Sequence, residues 1–327
     1  MHYKPIIIVP GQVESIFFEI FFKSLKKKIF FSPIILICSI NIFKKNAKLN
    51  KFNRKFNLIT SKIDKIKLKE KTINIINIDI KKNKNKNTQL KNNNEYLLKC
   101  FTEAFRIIKS NFTHKFLNGP INKKKFLNKK YLGITEFIGR RFYNNNTGML
   151  IYNRQLSVCP LTTHLPIKLI PKEISKKLIQ DKLELIHNFY LRNLGFKPKI
   201  AVTGLNPHCE STLKFNEDEK IITPAIKFSK NKKIKVSGPF SADTIFLKQN
   251  RNKFDVILGM YHDQVLTPLK TLYEYDAINI TMGLPFLRVS PDHGPNEKMI
   301  NKNLSNPTSL YKALEFLDKN WLKPKKA

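Results

Sequence analysis

Three apolar runs in this chain each end in a polar island that carries a histidine. KIAVTGLNPH ends at His208, FDVILGMYHDQ carries His262, and QLSVCPLTTH ends at His164. A short β-branched run closed by Gly, Pro or Asn reads as a buried strand feeding a loop. Repeated with amphipathic helical stretches between, this pattern restricts the chain to an α/β architecture. In open α/β sheets the carboxyl ends of strands form the ligand crevice. The three loops therefore carry their histidines to where a ligand binds.

The rest of the chain follows the same grammar. YKPIIIVPGQ near the start is a strand entering a turn, and PIILICSI, Pro33 to Ile40, is a second buried strand. Glu14 to Lys28 between them reads as a helix. Residues 44–98 are Lys/Asn-rich, and the polar stretch Lys81 to Asn94 is expected to be a surface loop, its order left open by the sequence. Asn94 to Ser110 has helical periodicity. Lys172 to Phe196 is expected to form one long amphipathic helix stopped by Gly195. Ala277 to Pro285 is a further strand with a polar end, and Ser309 to Leu322 is the last helix.

Neutral imidazole is a good ligand for zinc, cobalt or iron. Three imidazoles leave a position open for water or substrate, as a catalytic metal requires. A single histidine of this kind is more often a loop cap than a ligand. Three of them, each beside Pro, Asn, Thr or Asp in Lys-poor islands, favour a shared site. Their separations are too long for a zinc finger and fit a site assembled by tertiary structure, within one subunit or across two. Asp243 and Asp263 are placed to orient ligating rings or to approach the metal. Lys270 and Arg288 are the basic residues nearest the islands, suited to a carboxylate or phosphate. His293, in SPDHGP, is either a further site member or a turn residue. His2, His114 and His187 carry no functional signal, and His187 reads as a packing residue.

Composition sets limits on the function classes. The formal net charge is +36, but the lysines are spread through the chain with Asn and Ile rather than gathered in one element. This bias looks like that of an AT-rich genome, so specific nucleic-acid binding is not expected, while general attraction to anions is. The apolar run Ile29 to Phe43 is too short for a membrane span and is interrupted by Ser32, Pro33, Ser39 and Asn41. The start of the chain lacks the features of a signal peptide. Four cysteines without a CxxC pattern fit a reducing, cytoplasmic compartment. Cys38 and Cys100 read as buried small hydrophobes, and Cys209 as a neighbour of the site. No GxGxxG, GxxxxGK[ST] or GxSxG motif is present.

Taken together, TTHLP, GLNPHCE, GPFSADTIF, YHDQ with its following LK, and NITMGLPFLRVSPDHG resemble the 4-hydroxythreonine-4-phosphate dehydrogenase family of pyridoxine biosynthesis. The resemblance is strong from Leu156 to Gly294 and weaker outside it, where VPGQ and NGPINK carry it. It implies a two-domain fold of the isocitrate/isopropylmalate dehydrogenase type, with an interdomain cleft and NAD bound without the usual fingerprint. The implied domains are 1–130 plus 295–327, and 131–294 with most of the site and the dimer interface. His164, His208 and His262 match the family's metal ligands. Thr135, Lys270, Asn279 and Arg288 match residues that hold the substrate and its phosphate, and Asp243 and Asp263 match acids beside the metal. The family works as a homodimer with its site at the interface. The implied reaction is NAD-dependent oxidation of 4-phosphohydroxy-L-threonine followed by decarboxylation. Zinc, magnesium, manganese and cobalt stay open as the metal, although three imidazoles argue against magnesium. The choice between NAD and NADP also stays open.

Two segments depart from the family. Its PGEPAGIGP becomes PGQVESIFFEI, Pro10 to Ile20, with bulky apolar residues in place of flexible glycines. Its GHTE becomes GITE, so Ile134 stands where a histidine would meet the substrate phosphate. In addition, Asn118 replaces the threonine before GPINK. The alternatives these changes raise are a decayed metal-binding homologue without catalysis, or a dehydrogenase for a related phosphorylated hydroxy acid. A metal-dependent hydrolase is a weaker choice, which NAD dependence would separate.

Overall fold

The computed structural model describes residues 3–62, 65–122, 126, 134–142, 146–211 and 215–319. In chain order the strands are β1 (Ile6–Val9), β2 (Ile34–Cys38), β3 (Phe56–Leu58), β4 (Ile73–Asn77), β5 (Lys115–Asn118), β6 (Gly148–Tyr152), β7 (Ser157–Pro160), β8 (Ile200–Thr203), β9 (Val236–Phe240), β10 (Val256–Gly259), β11 (Ile278–Met282) and β12 (Leu287–Pro291). With the helices between them they form an α/β fold. The chain divides into two compact units, one from Met1–Tyr131 and Pro285–Lys323, the other from Leu132–Leu284.

In the first unit the strand order is β3-β4-β2-β1-β5-β12, and every pairing is parallel. β1 and β2 are buried along their whole length, as strands covered on both faces must be. The helix Phe17–Lys27 turns Phe17, Phe18, Phe21 and Phe22 inward. Phe22 stacks on Phe52 with ring centroids 4.3 Å apart, and Phe43 meets both Phe18 and Phe22 edge-on. The bulky residues that replace the expected glycines thus become core.

In the second unit the order is β11-β6-β7-β10-β8-β9. β6 runs antiparallel to both β11 and β7, while β7, β10, β8 and β9 are parallel, so this sheet is mixed. Its core gathers Ile151, Val158, Ala201, Ile257 and Val265 among other buried residues.

Several expectations are corrected. The stretch Lys81 to Asn94 is not a loop throughout, because a helix runs over Lys86–Lys109. The Asn85 side chain caps it by accepting from the Asn87 and Thr88 amides, and its later turns bury Tyr96, Leu97, Phe101 and Phe105. The apolar half anchors the helix and the polar half extends it. The single helix expected over Lys172 to Phe196 is instead Lys176–Phe189, capped by Ser175 at its start. A π-turn follows over Tyr190–Leu194 and ends at Gly195, whose φ of 80° is the left-handed stop. The two compact units divide at 284/285, and β12 pairs in parallel with β5. Among the described residues no helix is long and apolar enough to cross a membrane.

Candidate active site

β10 lies between β7 and β8, parallel to both. The carboxyl ends of the three strands, Pro160, Gly259 and Thr203, therefore lie side by side. Each is followed by one of the histidine loops.

Hydrogen bonds fasten these loops together. The Leu161 amide donates to the Gly259 carbonyl at 2.7 Å, and Thr162 Oγ1 donates to the Met260 carbonyl at 2.8 Å. These bonds hold the His164 loop against the His262 loop. The imidazoles of His164 and His262 come to 6.2 Å between centroids, at 37°. His262 opens the helix His262–Tyr273, and its Nδ1 lies 2.6 Å from Asp263 Oδ1.

The His208 loop is held differently. Asp218, buried at 1% exposure, accepts from the Leu205 amide at 2.8 Å, from the Asn206 amide at 3.1 Å and from Asn206 Nδ2 at 2.9 Å. Gly204 allows this close approach, since a Cβ there would lie 2.6 Å from both Asp218 Oδ1 and Cys209 Sγ. His208 and Cys209 both adopt left-handed backbone, with φ of 55° and 62°. Such conformations in non-glycine residues are uncommon and cluster at functional turns. His208 is exposed. Burial raises the Cys209 pKa, and the negative charges of Asp218 and Asp243 raise it further. Asp243 itself is exposed on the one-turn helix Ala242–Ile245.

Gln264 bridges two of the loops. Its Oε1 accepts from Thr203 Oγ1 and from the Met260 amide, both at 2.7 Å, and its Nε2 donates to the Gly204 carbonyl at 2.8 Å. Sequence reading did not single out Gln264, Thr203 or Asp218. The only signal for Gln264 was its place in YHDQ.

The other expected residues are distributed as follows. Thr135, on the helix Ile134–Arg141, lies 3.5 Å from Thr281 of β11 between hydroxyl oxygens. Asn279 is within β11. Its Nδ2 donates to Met149 Sδ at 3.6 Å, and its Oδ1 is buried without a hydrogen-bond partner among the described residues. Lys270 is half-buried on the helix that His262 begins. Ile134 is half-buried at the first position of its own helix. Arg288 lies on β12 in the first unit, 1% exposed, with Nε donating to Asn118 Oδ1 at 2.8 Å. His293 follows β12, its Nδ1 3.0 Å from the Gly294 carbonyl oxygen. His187, read as a packing residue, is half-buried; burial lowers its pKa, and Lys197 adds to the effect.

The donor chemistry fits a divalent transition ion at His164 and His262. Two imidazoles converge, and one presents a ring nitrogen to a carboxylate, the arrangement that orients a ligating ring. Within one chain His208 does not join them: among the described residues no three of His, Cys, Asp and Glu come together as a metal-binding group.

Comparison with known proteins identifies the family. The family model for the pyridoxal phosphate biosynthetic protein PdxA matches residues 30–317. A 4-hydroxythreonine-4-phosphate dehydrogenase of Wigglesworthia glossinidia brevipalpis is 37% identical over 320 residues, covering 95% of each chain. Another, from Sulfurihydrogenibium sp. (strain YO3AOP1), is 40% identical over 202 residues, a stretch covering 60% of this chain and 62% of that relative. The crystal structure of the Klebsiella pneumoniae 4-hydroxythreonine-4-phosphate dehydrogenase superposes with a TM-score of 0.80 at 26% identity, over 96% of this chain and 98% of that one. A β-decarboxylating dehydrogenase from Thermococcus kodakarensis, 11% identical with a TM-score of 0.50 over 95% of this chain and 81% of that one, shares the fold alone. The chain belongs to the PdxA family.

Proposed function

We propose that this chain is an NAD-dependent 4-hydroxythreonine-4-phosphate dehydrogenase with a two-domain fold of the isocitrate/isopropylmalate dehydrogenase type. The observation that carries the reading is the fastening of three histidine loops at the ends of β7, β10 and β8, in a chain of this family. The fold likeness to a β-decarboxylating dehydrogenase supports the architecture.

The substrate, 4-phosphohydroxy-L-threonine, bears a hydroxyl on C3. Its oxidation sends the C3 hydride to NAD+ and the hydroxyl proton to a base, leaving 2-amino-3-oxo-4-(phosphooxy)butanoate. That β-keto acid then loses CO2 and gains a proton to become 3-amino-2-oxopropyl phosphate. His164, His208 and His262, drawn from two copies of the chain, would hold a divalent ion, which when bound would supply Lewis acidity toward the hydroxyl and the ketone. Asp263 holds the His262 ring in orientation. Thr135, Lys270, Asn279 and Arg288 bind the substrate and its phosphate, so that binding energy remote from C3 contributes to catalysis. Asp243 orients a ligating ring or approaches the metal directly.

The working form in this reading is a homodimer, with the site completed at the interface. The close pair His164 and His262, with His208 exposed on a separate loop, supports completion by a second copy of the chain.

The test is NADH absorbance from metal-reconstituted protein with 4-phosphohydroxy-L-threonine, beside a chelator-treated control and an NADP arm. Metal-dependent NADH formation is expected. Folded, metal-loaded protein that reduces neither cofactor would sink the reading and favour a decayed homologue.

A further inference from the structure

Gln264 bonds the loop after β8 and the loop after β10 at once. Its Oε1 receives Thr203 Oγ1 and the Met260 amide at 2.7 Å each, and its Nε2 reaches the Gly204 carbonyl at 2.8 Å. Thr203 and Gly204 lead directly into LNPH and His208. Met260 is two residues from His262. Gly259 makes room for this bridge, since a Cβ there would lie 3.1 Å from Gln264 Oε1 and 2.3 Å from Val265 Cγ1. The amide suits the task because it supplies an acceptor and a donor in one rigid plane. Leucine would fill the space with neither, and glutamate would keep only the acceptor.

We infer that Gln264 is a positioning residue. It fixes the His208 loop relative to the His262 loop of its own chain, so that each loop holds its ligand in place for the dimer site it serves, without touching metal or substrate. This inference rests on the proposed metal site. A ligand set is selective and tight only when the groups behind it hold the ligands in place, and loss of such support lowers metal affinity by about 10- to 100-fold.

The experiment compares wild type with Gln264→Leu, Gln264→Glu and Thr203→Val as full-length apo proteins, each checked for native circular dichroism. Co2+ is the probe, read by its visible absorption and by competition with a chromophoric chelator. Amide hydrogen exchange is followed at Met260 and across Leu205 to Cys209. Gln264→Leu is expected to bind Co2+ at least about tenfold more weakly and to lose protection in both loops together. Gln264→Glu keeps the acceptor oxygen and is expected to recover part of the affinity. Thr203→Val, which removes one of the three bonds, is expected to fall between wild type and Gln264→Leu.

Wild-type Co2+ affinity in folded Gln264→Leu, or exchange that rises in one loop only, overturns the inference while leaving the proposed function standing. A uniform loss of stability with unchanged affinity also overturns it, because a merely structural residue would behave that way. Failure of wild type itself to bind Co2+ overturns the metal reading and the inference with it.

Discussion

Arg288 directs its Nε to Oδ1 of Asn118 at 2.8 Å, joining β12 to β5 through two buried side chains. Asn118 stands where the family carries threonine, and its Nδ2 donates to the Gly119 carbonyl at 2.9 Å. Replacing Asn118 with leucine takes the acceptor from a buried guanidinium N–H. Urea denaturation should show a loss of about 1–3 kcal/mol, the cost of a buried donor left without its partner. Unchanged stability would mean that Arg288 does not depend on this bond.

Asp263 sits beside His262 with 2.6 Å between Oδ1 and Nδ1. Asp263→Asn should weaken metal binding by about 10- to 100-fold, as measured by chelator competition. Because both groups are on the surface side of the loop, folding stability should change little. An unaltered metal affinity would remove Asp263 from the site.

Ile134 cannot donate a hydrogen bond or carry charge where the family has histidine. Ile134→His should raise kcat/KM for the phosphorylated substrate by about tenfold or more, the worth of one hydrogen bond to a charged group. Steady-state kinetics decides it. A fall in kcat/KM would show that the pocket around Ile134 has been reshaped for an apolar side chain.

Lys115 is fully buried at the start of β5, its Nζ donating to Ser32 Oγ at 3.0 Å and lying 5.7 Å from the Tyr3 ring centroid. Burial pushes its pKa down to about 8, against the opposing pull of Asp318. Unfolded lysine takes up its proton near pH 10.4, about two units earlier. Stability is therefore highest above that pH, falls as pH descends from about 10.4 to about 8, and levels off below. Lys115→Met should be more stable than wild type at pH 7 by up to about 3 kcal/mol, and the gap should close towards pH 10.5. A gap independent of pH would refute the charge as its cause.

Cys38, Cys100 and Cys159 are buried, and Cys209 is half-buried. Burial lifts the thiol pKa to about 12 at Cys100 and to about 11 at Cys159, and raises that of Cys38. Thiolate is the reactive form, so these three should resist a disulfide reagent at pH 8 until the protein is denatured. Cys209 should react in the native protein, slowly, because its own pKa is raised. Rapid native labelling of more than one thiol would contradict the burial.

The strands and their polar ends were legible in the chain because strand burial and loop polarity are local properties. IIIV, IILIC, IAVT and VILG are apolar wherever they sit, and the Gly, Pro and Asn residues after them break a strand without help from the rest of the fold. Residue type also drew attention to the histidines, since three of them stand together with Pro, Asn, Thr or Asp in Lys-poor islands. The extension of a helix back to Lys86 was hidden. Its asparagines and lysines have weak preference alone, and only the packed apolar half downstream stabilises them. The roles of Gln264 and Asp218 were hidden for another reason. A glutamine or a buried aspartate acquires a task only through the donors and acceptors that face it, and those come from loops far apart in the chain. Which strand pairs with which decided that three histidine loops would be neighbours and that Arg288 would lie with Asn118. Strand pairing is set by long-range burial and hydrogen bonding, which no local run of residues contains.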